Sequence, residues 1–321
     1  MAPARRRRPA VLVYHPDDAA VYARLINVPR GRDVAIHVAA TEADAAVHIA
    51  QVEVIYAWKL PPALYGKAKR LRWLQAMGAG VDWALEAPDL RRRVIVTRAP
   101  GVFGSWMSEY VIGWCAWVTQ RMETYRAMQR ERRWDDRVLP EQLRGRTLTL
   151  VGIGDIGGEI ARVARAVGLH VVGVSRTGRR VPHVDRVHRT VHLHRALSAA
   201  DFVVVVVPLT PATRGLIDAA ALAAMRPGAW LLNIGRGALV DEAALLEALR
   251  SRRIAGAILD VFSIEPLPAD HPLWGLDNVV VTPHIAGPTT AEGIAPVFND
   301  NLARWLAGHE LHHVVDRKKG Y

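Results

Sequence analysis

The sequence has a single cysteine, Cys115, among its 321 residues. One thiol cannot close a disulfide within the chain, which excludes a disulfide framework and favours a reducing compartment such as the cytoplasm. Long apolar runs are also absent, because no stretch approaches the roughly 20 residues that a membrane helix needs. The arginine-rich start is followed by an apolar run, Ala10–Tyr14, that is too short for a secretory signal. We therefore expect a cytoplasmic protein without a membrane partner.

Acidic side chains are outnumbered, with 31 Asp and Glu against 42 Lys and Arg and a formal net charge of +11. A basic balance permits nucleic-acid binding, yet no recognised nucleic-acid motif accompanies the arginines. They stand in short clusters scattered along the chain: Arg5–Arg8, Arg130–Arg133, Arg176–Arg180 and Arg250–Arg253. We expect no nucleic-acid partner and interpret the charge as steering of anionic small molecules. The first cluster precedes the first predicted strand, and we expect a disordered tail there.

Low-complexity linkers and sequence repeats are missing as well, and short β-branched runs alternate with amphipathic stretches. This alternation predicts parallel sheets covered by helices. In the first part of the chain we predict strands at 11–14, 34–38, 52–58, 73–76 and 94–97. In the second part we predict strands at 147–151, 170–174, 202–207, 230–234, 257–261 and 279–282. A long helix is expected to begin near Gly104 with Ser105 as its cap, and another spans about 290–306.

A glycine motif follows the predicted strand 147–151 and opens a helix. It reads G-x-G-x-x-G from residue 152 to residue 157, in the strand–turn–helix context that the dinucleotide fingerprint requires. The first glycine allows the turn, the second lets the backbone approach a pyrophosphate, and the third lets helix and strand pack closely. An ordinary glycine-rich turn is the alternative. The residues expected at the phosphates are Gly152, Gly154, Asp155, Ile156 and Gly157.

The next predicted strand ends without an acidic residue. A site for NAD usually carries a carboxylate there, bonded to the ribose 2′-hydroxyl. This chain has Ser175, Arg176 and Thr177 instead. A carboxylate repels a 2′-phosphate, whereas the planar fork of Arg176 binds one and the two hydroxyls add hydrogen bonds. The segment predicts NADP as the cofactor, with a solvated basic loop as the alternative.

Three side chains with complementary chemistry, Arg236, Glu265 and His284, follow predicted strands of the second part. Hydride transfer to a carbonyl carbon builds negative charge on the oxygen, and the imidazolium of His284 can donate the proton. The carboxylate of Glu265 favours the charged ring and holds it, while Arg236 binds and polarises the substrate. Gly235 and Gly237 are expected to leave room for ligands beside Arg236. Taken singly, each side chain is more often structural or solvated.

At these segments the chain resembles the D-isomer-specific 2-hydroxyacid dehydrogenase family, and the resemblance covers almost the whole chain. It is most similar to the glyoxylate/hydroxypyruvate reductase A type, through Tyr14-His15-Pro16, Trp58 before a proline pair, Gly78–Asp82, Ser175–Thr177 and the chain end from residue 315. The resemblance implies an α/β fold with two Rossmann-like or flavodoxin-like parallel-sheet domains and an interdomain active-site cleft. It also implies a homodimer.

The resemblance assigns residues 1–102 and 290–321 to a substrate-binding domain and residues 103–289 to an NADP-binding Rossmann domain. It implies that Gly78, Ala79 and Gly80 bind the substrate carboxylate through backbone N–H groups, a geometry that suits an anion. An ordinary turn is the alternative. The further substrate contacts that we expect are Trp58 and Arg236. The further cofactor contacts are Pro208, Ile234, Gly235, Asp260 at the nicotinamide carboxamide, His284 and Gly287.

The function that the resemblance implies is NADPH-dependent reduction of small 2-oxo acids, such as glyoxylate and hydroxypyruvate, to glycolate and D-glycerate. Two alternatives stay open: an NAD-dependent dehydrogenase of another hydroxy acid, and a non-enzymatic dinucleotide sensor like the corepressors that share this architecture. No metal is expected, because His188, His192 and His194 lack a thiolate or a matched carboxylate.

Overall fold

The structure is a computed structural model that describes residues 8–321. The chain divides into two compact units: unit 1 is Met1–Val102 with Thr289–Tyr321, and unit 2 is Phe103–Pro288. Most of the cluster predicted as a tail, Arg5–Arg7, lies outside the described residues. Arg8 departs from that prediction, because its guanidinium donates to the carbonyl of Val34 at 3.0 Å and pairs with Asp33 at 2.7 Å.

Every strand predicted from the sequence is present, and one further strand is added. The strands, in chain order, are β1 (Ala10–Tyr14), β2 (Ala35–Ala39), β3 (Val54–Ala57), β4 (Trp73–Ala76), β5 (Ile95–Thr97), β6 (Thr147–Val151), β7 (His170–Ser175), β8 (Arg186–Arg189), β9 (Phe202–Val205), β10 (Trp230–Asn233), β11 (Gly256–Leu259) and β12 (Val279–Val281).

The α-helices fill the intervals between most strands and close the chain. They are α1 (Ala19–Arg24), α2 (Glu42–His48), α3 (Asp82–Leu85), α4 (Gly104–Thr119), α5 (Met122–Arg130), α6 (Asp155–Ala166), α7 (Leu193–Leu197), α8 (Ala219–Ala224), α9 (Glu242–Arg250) and α10 (Ala291–Ala307). Within residues 8–321, no helix is long and apolar enough to cross a bilayer.

Unit 1 is built on a five-stranded sheet in the order β2-β1-β3-β4-β5, and every pairing is parallel. All residues of β1, β3 and β4 are buried, as expected for strands that helices cover on both faces. The strand order reverses between β1 and β3. In open α/β sheets ligands bind beyond the carboxyl ends of the strands at such a switch point.

The chain returns to unit 1 through α10, whose aromatic contacts explain why it packs there. The ring of Phe298 stacks on Tyr56 at 4.1 Å and on Trp73 at 5.3 Å, and all three side chains are fully buried. One turn further on, the buried amide of Asn301 donates to the side-chain oxygen of Gln75 at 3.2 Å. Burial of the aromatic stack, together with a satisfied polar contact, fixes this helix against the sheet.

Unit 2 is built on a seven-stranded sheet in the order β12-β11-β10-β9-β6-β7-β8, again with only parallel pairings. The switch point lies between β6 and β9. A core of aliphatic side chains from β9, β10 and β11 packs under α7, α8 and α9. The predicted fold class, two α/β units on parallel sheets, is confirmed.

The structure of unit 2 differs from the predictions at two places: one strand was missed, and one helix cap was wrong. The edge strand β8 was not predicted, because its sequence Arg-Val-His-Arg lacks an apolar run and it pairs only with β7. Ser105 is not the cap of α4, since the helix already begins at Gly104 with Phe103 before it, and the side chain of Phe103 cannot cap it by a hydrogen bond. The hydroxyl that interacts here is that of Ser108, which donates to the Ser105 carbonyl at 2.8 Å.

Candidate active site

The glycine motif forms the turn between β6 and α6 at the switch point of unit 2. Gly152 has φ +107°, and a β-carbon there would lie 2.6 Å from the carbonyl oxygen of Val206. A β-carbon on Gly157 would lie 2.1 Å from the Gly152 oxygen, so both positions need glycine for close packing. Beside Gly154, by contrast, a β-carbon would meet open space.

The start of α6 fits the pyrophosphate of a dinucleotide. No side chain caps the helix at Gly154, and Asp155 and Ile156 form its first turn. The first N–H groups of a helix point outward and carry a partial positive charge, which suits a phosphate. Pro208 follows β9 across the switch point, and its carbonyl accepts the hydroxyl of Thr213 at 2.7 Å. These residues form a cradle that an anion can approach.

The segment that predicted NADP follows the neighbouring strand β7. Ser175 is its last residue, and its hydroxyl oxygen accepts the N–H of Gly178 at 3.1 Å, which leaves the hydroxyl proton to donate elsewhere. The side chains of Arg176 and Thr177 are exposed. The turn therefore presents one guanidinium and two hydroxyls next to the phosphate cradle, a donor set that fits a 2′-phosphate.

Three neighbouring parallel strands of unit 2 carry the predicted catalytic side chains beyond their carboxyl ends. Arg236 lies three residues after β10, Glu265 six residues after β11 and His284 three residues after β12. Since these strands are adjacent in the sheet, the three segments meet at one edge. Ile234 and Gly235, at the end of β10, belong to the same edge.

Glu265 and His284 are in direct contact. Nδ1 of His284 lies 2.9 Å from Oε2 of Glu265, and both side chains are about one-third exposed, at 33% and 31%. The other carboxylate oxygen, Oε1, accepts the backbone N–H of Phe262 at 3.0 Å. The carboxylate is thus fixed at one oxygen and orients the imidazole with the other. Nε2 is the ring atom left to face a substrate.

Asp260 anchors the loop of His284 from below. This side chain is 1% exposed, and its Oδ1 accepts the N–H of Ile285 at 2.8 Å while Oδ2 accepts the N–H of Ala286 at 2.9 Å. The hydroxyl of Thr282 also donates to Oδ1, at 2.6 Å. The Tyr110 hydroxyl on α4 lies 2.7 Å from that of Thr282 and extends the network. Burial raises the pKa of Tyr110, so this phenol stays neutral and can donate.

This network gives Asp260 a role that the sequence did not reveal. The resemblance implied that Asp260 faces the nicotinamide, which stays a prediction. The structure shows that both carboxylate oxygens are engaged by the protein, so Asp260 positions His284. The signal in the sequence was weak: a lone Asp after a buried strand is typical of many loops.

The packing of the protein itself requires glycine on both sides of Arg236, and the predicted room for ligands there stays a prediction. A β-carbon on Gly237 would lie 2.0 Å from the carbonyl carbon of Phe262, because the loops after β10 and β11 cross there. A β-carbon on Gly235 would lie 2.8 Å from Leu239. Asn233 holds the same loop, since its amide donates to the Arg236 carbonyl at 3.0 Å. Arg236 itself is half-buried, and its guanidinium donates to the Gly235 carbonyl at 2.9 Å.

Gly287, a predicted cofactor contact of unit 2, lies against the start of α4. A β-carbon on Gly287 would lie 3.0 Å from the Met107 side chain, so this loop packs tightly on the helix start. Met107 is buried at 7% exposure, whereas Trp106 is 50% exposed. Met107 is therefore a packing residue of unit 2.

The predicted substrate residues lie in unit 1, beyond adjacent strands. Trp58 follows β3 and Gly78, Ala79 and Gly80 follow β4, and a β-carbon on Gly78 would touch the Trp58 ring at 3.4 Å. The Gly80 carbonyl accepts the indole N–H of Trp83 at 3.2 Å. The tryptophan and the glycine turn thus form one surface at the carboxyl edge of this sheet.

His15 joins that surface and was missed as a site residue. It follows β1 at the switch point, and its ring lies 6.3 Å from that of Trp58 and 5.2 Å from that of Tyr22. Its Nδ1 accepts the backbone N–H groups of Asp17 at 3.2 Å and Asp18 at 3.0 Å. Burial lowers the pKa of His15, against the opposing charges of Asp18 and Asp17. Its position directly after the first strand was the available signal.

Within residues 8–321 no group of three or more His, Cys, Asp or Glu is arranged to hold a metal ion. Of the histidines considered for a metal, His188 lies on the edge strand β8, and burial lowers its pKa.

Comparison with known proteins identifies the architecture. The family model described as D-isomer specific 2-hydroxyacid dehydrogenase, NAD binding domain, matches residues 113–286. The chain belongs to the D-isomer specific 2-hydroxyacid dehydrogenase family. The predicted resemblance is confirmed, and this member is an oxidoreductase with the family's dinucleotide-binding domain.

Similar members of the family include a glyoxylate/hydroxypyruvate reductase A from Serratia proteamaculans, 31% identical over 82% of this chain and 86% of that protein. An NADPH-dependent glyoxylate/hydroxypyruvate reductase from Sinorhizobium meliloti, solved with NADP and sulfate, has a TM-score of 0.87 at 31% identity and covers 98% of this chain and 100% of that one. A family member from Xanthobacter autotrophicus, solved with NADPH and MES, has a TM-score of 0.86 at 34% identity. The match covers 98% of this chain and 99% of that one.

Proposed function

We propose that the protein reduces small 2-oxo acids, such as glyoxylate and hydroxypyruvate, to glycolate and D-glycerate with NADPH. The observation that carries the proposal is the contact between Nδ1 of His284 and Glu265 at the edge where Arg236 also emerges. This edge belongs to the same sheet as the phosphate cradle. Two of the relatives named above are glyoxylate/hydroxypyruvate reductases by name. Two were solved with NADPH or NADP bound.

Proton transfer is the chemistry that the chain itself contributes. The reduced nicotinamide of NADPH supplies the hydride when it is bound. Nε2 of His284 donates a proton to the carbonyl oxygen as negative charge builds there. Glu265 holds the ring at Nδ1 and places a carboxylate beside it. Arg236 binds the substrate and polarises the carbonyl through its guanidinium.

Binding of the substrate carboxylate is assigned to the N–H groups of Gly78, Ala79 and Gly80, with Trp58 beside them. This places substrate binding in residues 1–102 with 290–321 and dinucleotide binding in residues 103–289. Cofactor contacts are assigned to Gly152–Gly157, Ser175–Thr177, Pro208, Ile234–Gly235 and Asp260, with His284 and Gly287 at the nicotinamide end.

The preference for NADPH rests on Arg176. A guanidinium on the ribose side attracts a 2′-phosphate, and the described turn carries no carboxylate between Ser175 and Arg180 that would repel it. We propose NADPH in preference to NADH for this reason.

The proposal extends to a homodimer in the cytoplasm. The homodimer follows from the family resemblance, and the compartment suits Cys115, a single buried thiol. Light scattering of the purified protein measures the oligomeric state directly.

Steady-state kinetics test the function. Glyoxylate, hydroxypyruvate, pyruvate and longer 2-oxo acids are each supplied with NADPH and with NADH, and cofactor oxidation is followed. We expect the highest kcat/KM for NADPH with a two- or three-carbon acid. NADPH binding without turnover of any acid would overturn the proposal in favour of a dinucleotide sensor, and higher kcat/KM with NADH would favour a different dehydrogenase.

A further inference from the structure

A groove with a volume of about 430 Å³ lies in unit 1 at the amino ends of three adjacent strands. Glu53 precedes β3, Arg72 precedes β4, and Arg93 lies just before β5. The groove is also lined by Lys69, Arg70 and Trp305 of α10. Its volume falls within the range of roughly 300–1,000 Å³ that is typical of small-molecule sites.

The groove is separate from the surface formed by Trp58 and the glycine turn. Both follow the carboxyl ends of β3 and β4, whereas the groove lies at the amino ends of the same strands. Four residues of parallel strand at about 3.3 Å each separate the two edges by about 13 Å. A ligand in the groove therefore does not occupy the proposed substrate surface.

The lining is strongly cationic. Arg70 pairs with Glu53 at 2.8 Å, and this pair is partly buried, with side-chain exposures of 33% and 22%. Lys69, Arg72 and Arg93 make no ion pair with any carboxylate in the described part of the chain, residues 8–321. Three cations in one concave surface repel one another, and a bound anion relieves that repulsion.

Arg72 is held in place before any ligand arrives. Its guanidinium carbon lies 4.8 Å from the centre of the Trp305 ring, and Trp305 packs in turn against the buried Trp73 at 5.8 Å. Stacking of a guanidinium on an indole restricts the arginine while leaving its N–H donors available. A donor fixed in advance loses less freedom when it binds an anion.

We propose that this groove binds a small polyanion that carries two or more phosphate or carboxylate groups. Arg72 and Arg93 supply planar donor pairs that match either oxyanion, and Lys69 adds a mobile positive charge. The ion pair of Arg70 with Glu53 forms the wall and limits the positive charge of the groove. The concave shape selects a compact ligand.

Isothermal titration calorimetry tests the proposal on protein saturated with NADP⁺, so that the phosphate cradle of unit 2 is occupied. Pyrophosphate and citrate are the two probes. We expect one saturable event that weakens as salt rises, because the contact is electrostatic. Tighter binding of pyrophosphate identifies a phosphorylated ligand, and tighter binding of citrate identifies a polycarboxylate. If neither pyrophosphate nor citrate binds, the proposal is overturned.

Variants with matched charge assign the event to the groove. Arg93→Gln removes an exposed cation and should weaken probe binding about tenfold, within the range of a charge-assisted hydrogen bond. Arg30→Gln removes an exposed cation elsewhere in unit 1 and should leave binding unchanged. Equal effects of the two changes would show a non-specific response to net charge and overturn the assignment.

A gain of affinity separates this site from damage to the fold. Glu53→Gln removes the one carboxylate of the groove and releases Arg70, so pyrophosphate should bind several-fold more tightly. Partial unfolding lowers affinity and cannot produce this result. Unchanged or weaker binding in Glu53→Gln would contradict the proposal, and circular dichroism confirms that each variant is folded.

Discussion

The imidazole Nδ1 of His284 lies 2.9 Å from Oε2 of Glu265, on a loop whose backbone conformation is itself unusual. His284 has φ +57°, in the left-handed region that costs a residue with a β-carbon roughly 1–2 kcal/mol. The backbone of Asp260 accepts the His284 N–H at 2.8 Å, and its carboxylate accepts the next two N–H groups. The buried carboxylate therefore stabilises a strained loop that aims the imidazole.

Removal of the imidazole tests the proposed proton donor. His284→Ala should lower kcat for glyoxylate by roughly 10²–10⁴-fold, the usual scale for loss of a general acid. NADPH affinity, measured by fluorescence, should change little, because the phosphates bind at the other end of the cofactor. Near-normal turnover in this variant would mean that another group donates the proton.

Glu265→Gln tests the partnership with His284. The amide keeps the shape of the side chain but removes the negative charge that lies 2.9 Å from Nδ1, so the imidazole is held less firmly. We expect a lower kcat for glyoxylate and little change in NADPH affinity. Glu242→Gln is the matched control, because Glu242 faces His271 at 3.0 Å elsewhere in unit 2. Equal kcat values for wild type and Glu265→Gln would refute the partnership.

Asp260→Asn tests the positioning role of the buried carboxylate. An amide in place of the carboxylate turns one acceptor into a donor that faces a backbone N–H, which should lower the free energy of unfolding by about 1–3 kcal/mol. It should also reduce kcat, since the His284 loop loses its anchor. Tyr110→Phe removes only the outer hydroxyl of the network and should have a smaller effect on both. Denaturant unfolding measures the free energy of unfolding, and glyoxylate kinetics measure kcat. If Tyr110→Phe has as large an effect as Asp260→Asn, the carboxylate of Asp260 is not the main anchor of the His284 loop.

Arg176→Ala tests cofactor choice. A hydrogen bond to a charged group contributes about 1.5–3 kcal/mol, so KM for NADPH should rise roughly tenfold or more. KM for NADH should hardly change, because NADH lacks the 2′-phosphate. Arg179→Ala, at an exposed arginine three residues further on, is the matched control. A similar rise of KM for both cofactors would show that Arg176 does not read the 2′-phosphate.

The sequence predicts the strands well because most are buried on both faces, and continuous apolar runs such as Phe202–Val205 have few other structures open to them. It fails for β8, whose residues Arg186–Arg189 pair at a sheet edge and need no apolar pattern. The start of α4 was also predicted wrongly from a hydroxyl side chain, because Ser105 lies inside the helix and does not cap it.

The site was predictable where function fixes the residue type and less so where packing does. Glu265 and His284 were predicted from the chemistry of their side chains, and the structure places them in contact. The hydrogen bonds of Asp260 and the crossing at Gly237 depend on loops that meet only after the sheet has formed. Spacing along one chain carries no signal for such contacts.

Gly237→Ala tests that loop crossing. The added β-carbon would lie 2.0–2.3 Å from the backbone of Phe262 and Ser263, so the two loops must move apart. Overpacking of this kind typically destabilises by about 1–3 kcal/mol, and it should displace Arg236 together with Glu265. We expect a lower melting temperature and a lower kcat for glyoxylate. Gly228→Ala is the control, because a β-carbon there meets open space. Equal behaviour of the two variants would show that the crossing tolerates a methyl group.

The last prediction concerns the acid sensitivity of unit 1 through His15. Its Nδ1 accepts two backbone N–H groups, and protonation of that atom would break both contacts. Burial lowers the pKa of His15 below its usual value of 6.5, so the folded protein favours the neutral ring. The stability that this ring contributes is complete above the usual pKa and is lost as pH falls through the lowered one.

His15→Asn separates the hydrogen bonds from the titration, because the amide oxygen occupies the place of Nδ1 and cannot be protonated near neutral pH. Thermal unfolding is compared between about pH 7.5 and 5.5, on either side of the ordinary histidine value. The melting temperature of the wild type should fall more on acidification than that of His15→Asn. His309→Asn, at an exposed histidine of the same unit, should behave like the wild type. If all three proteins respond equally to acid, His15 does not control the pH dependence of unit 1.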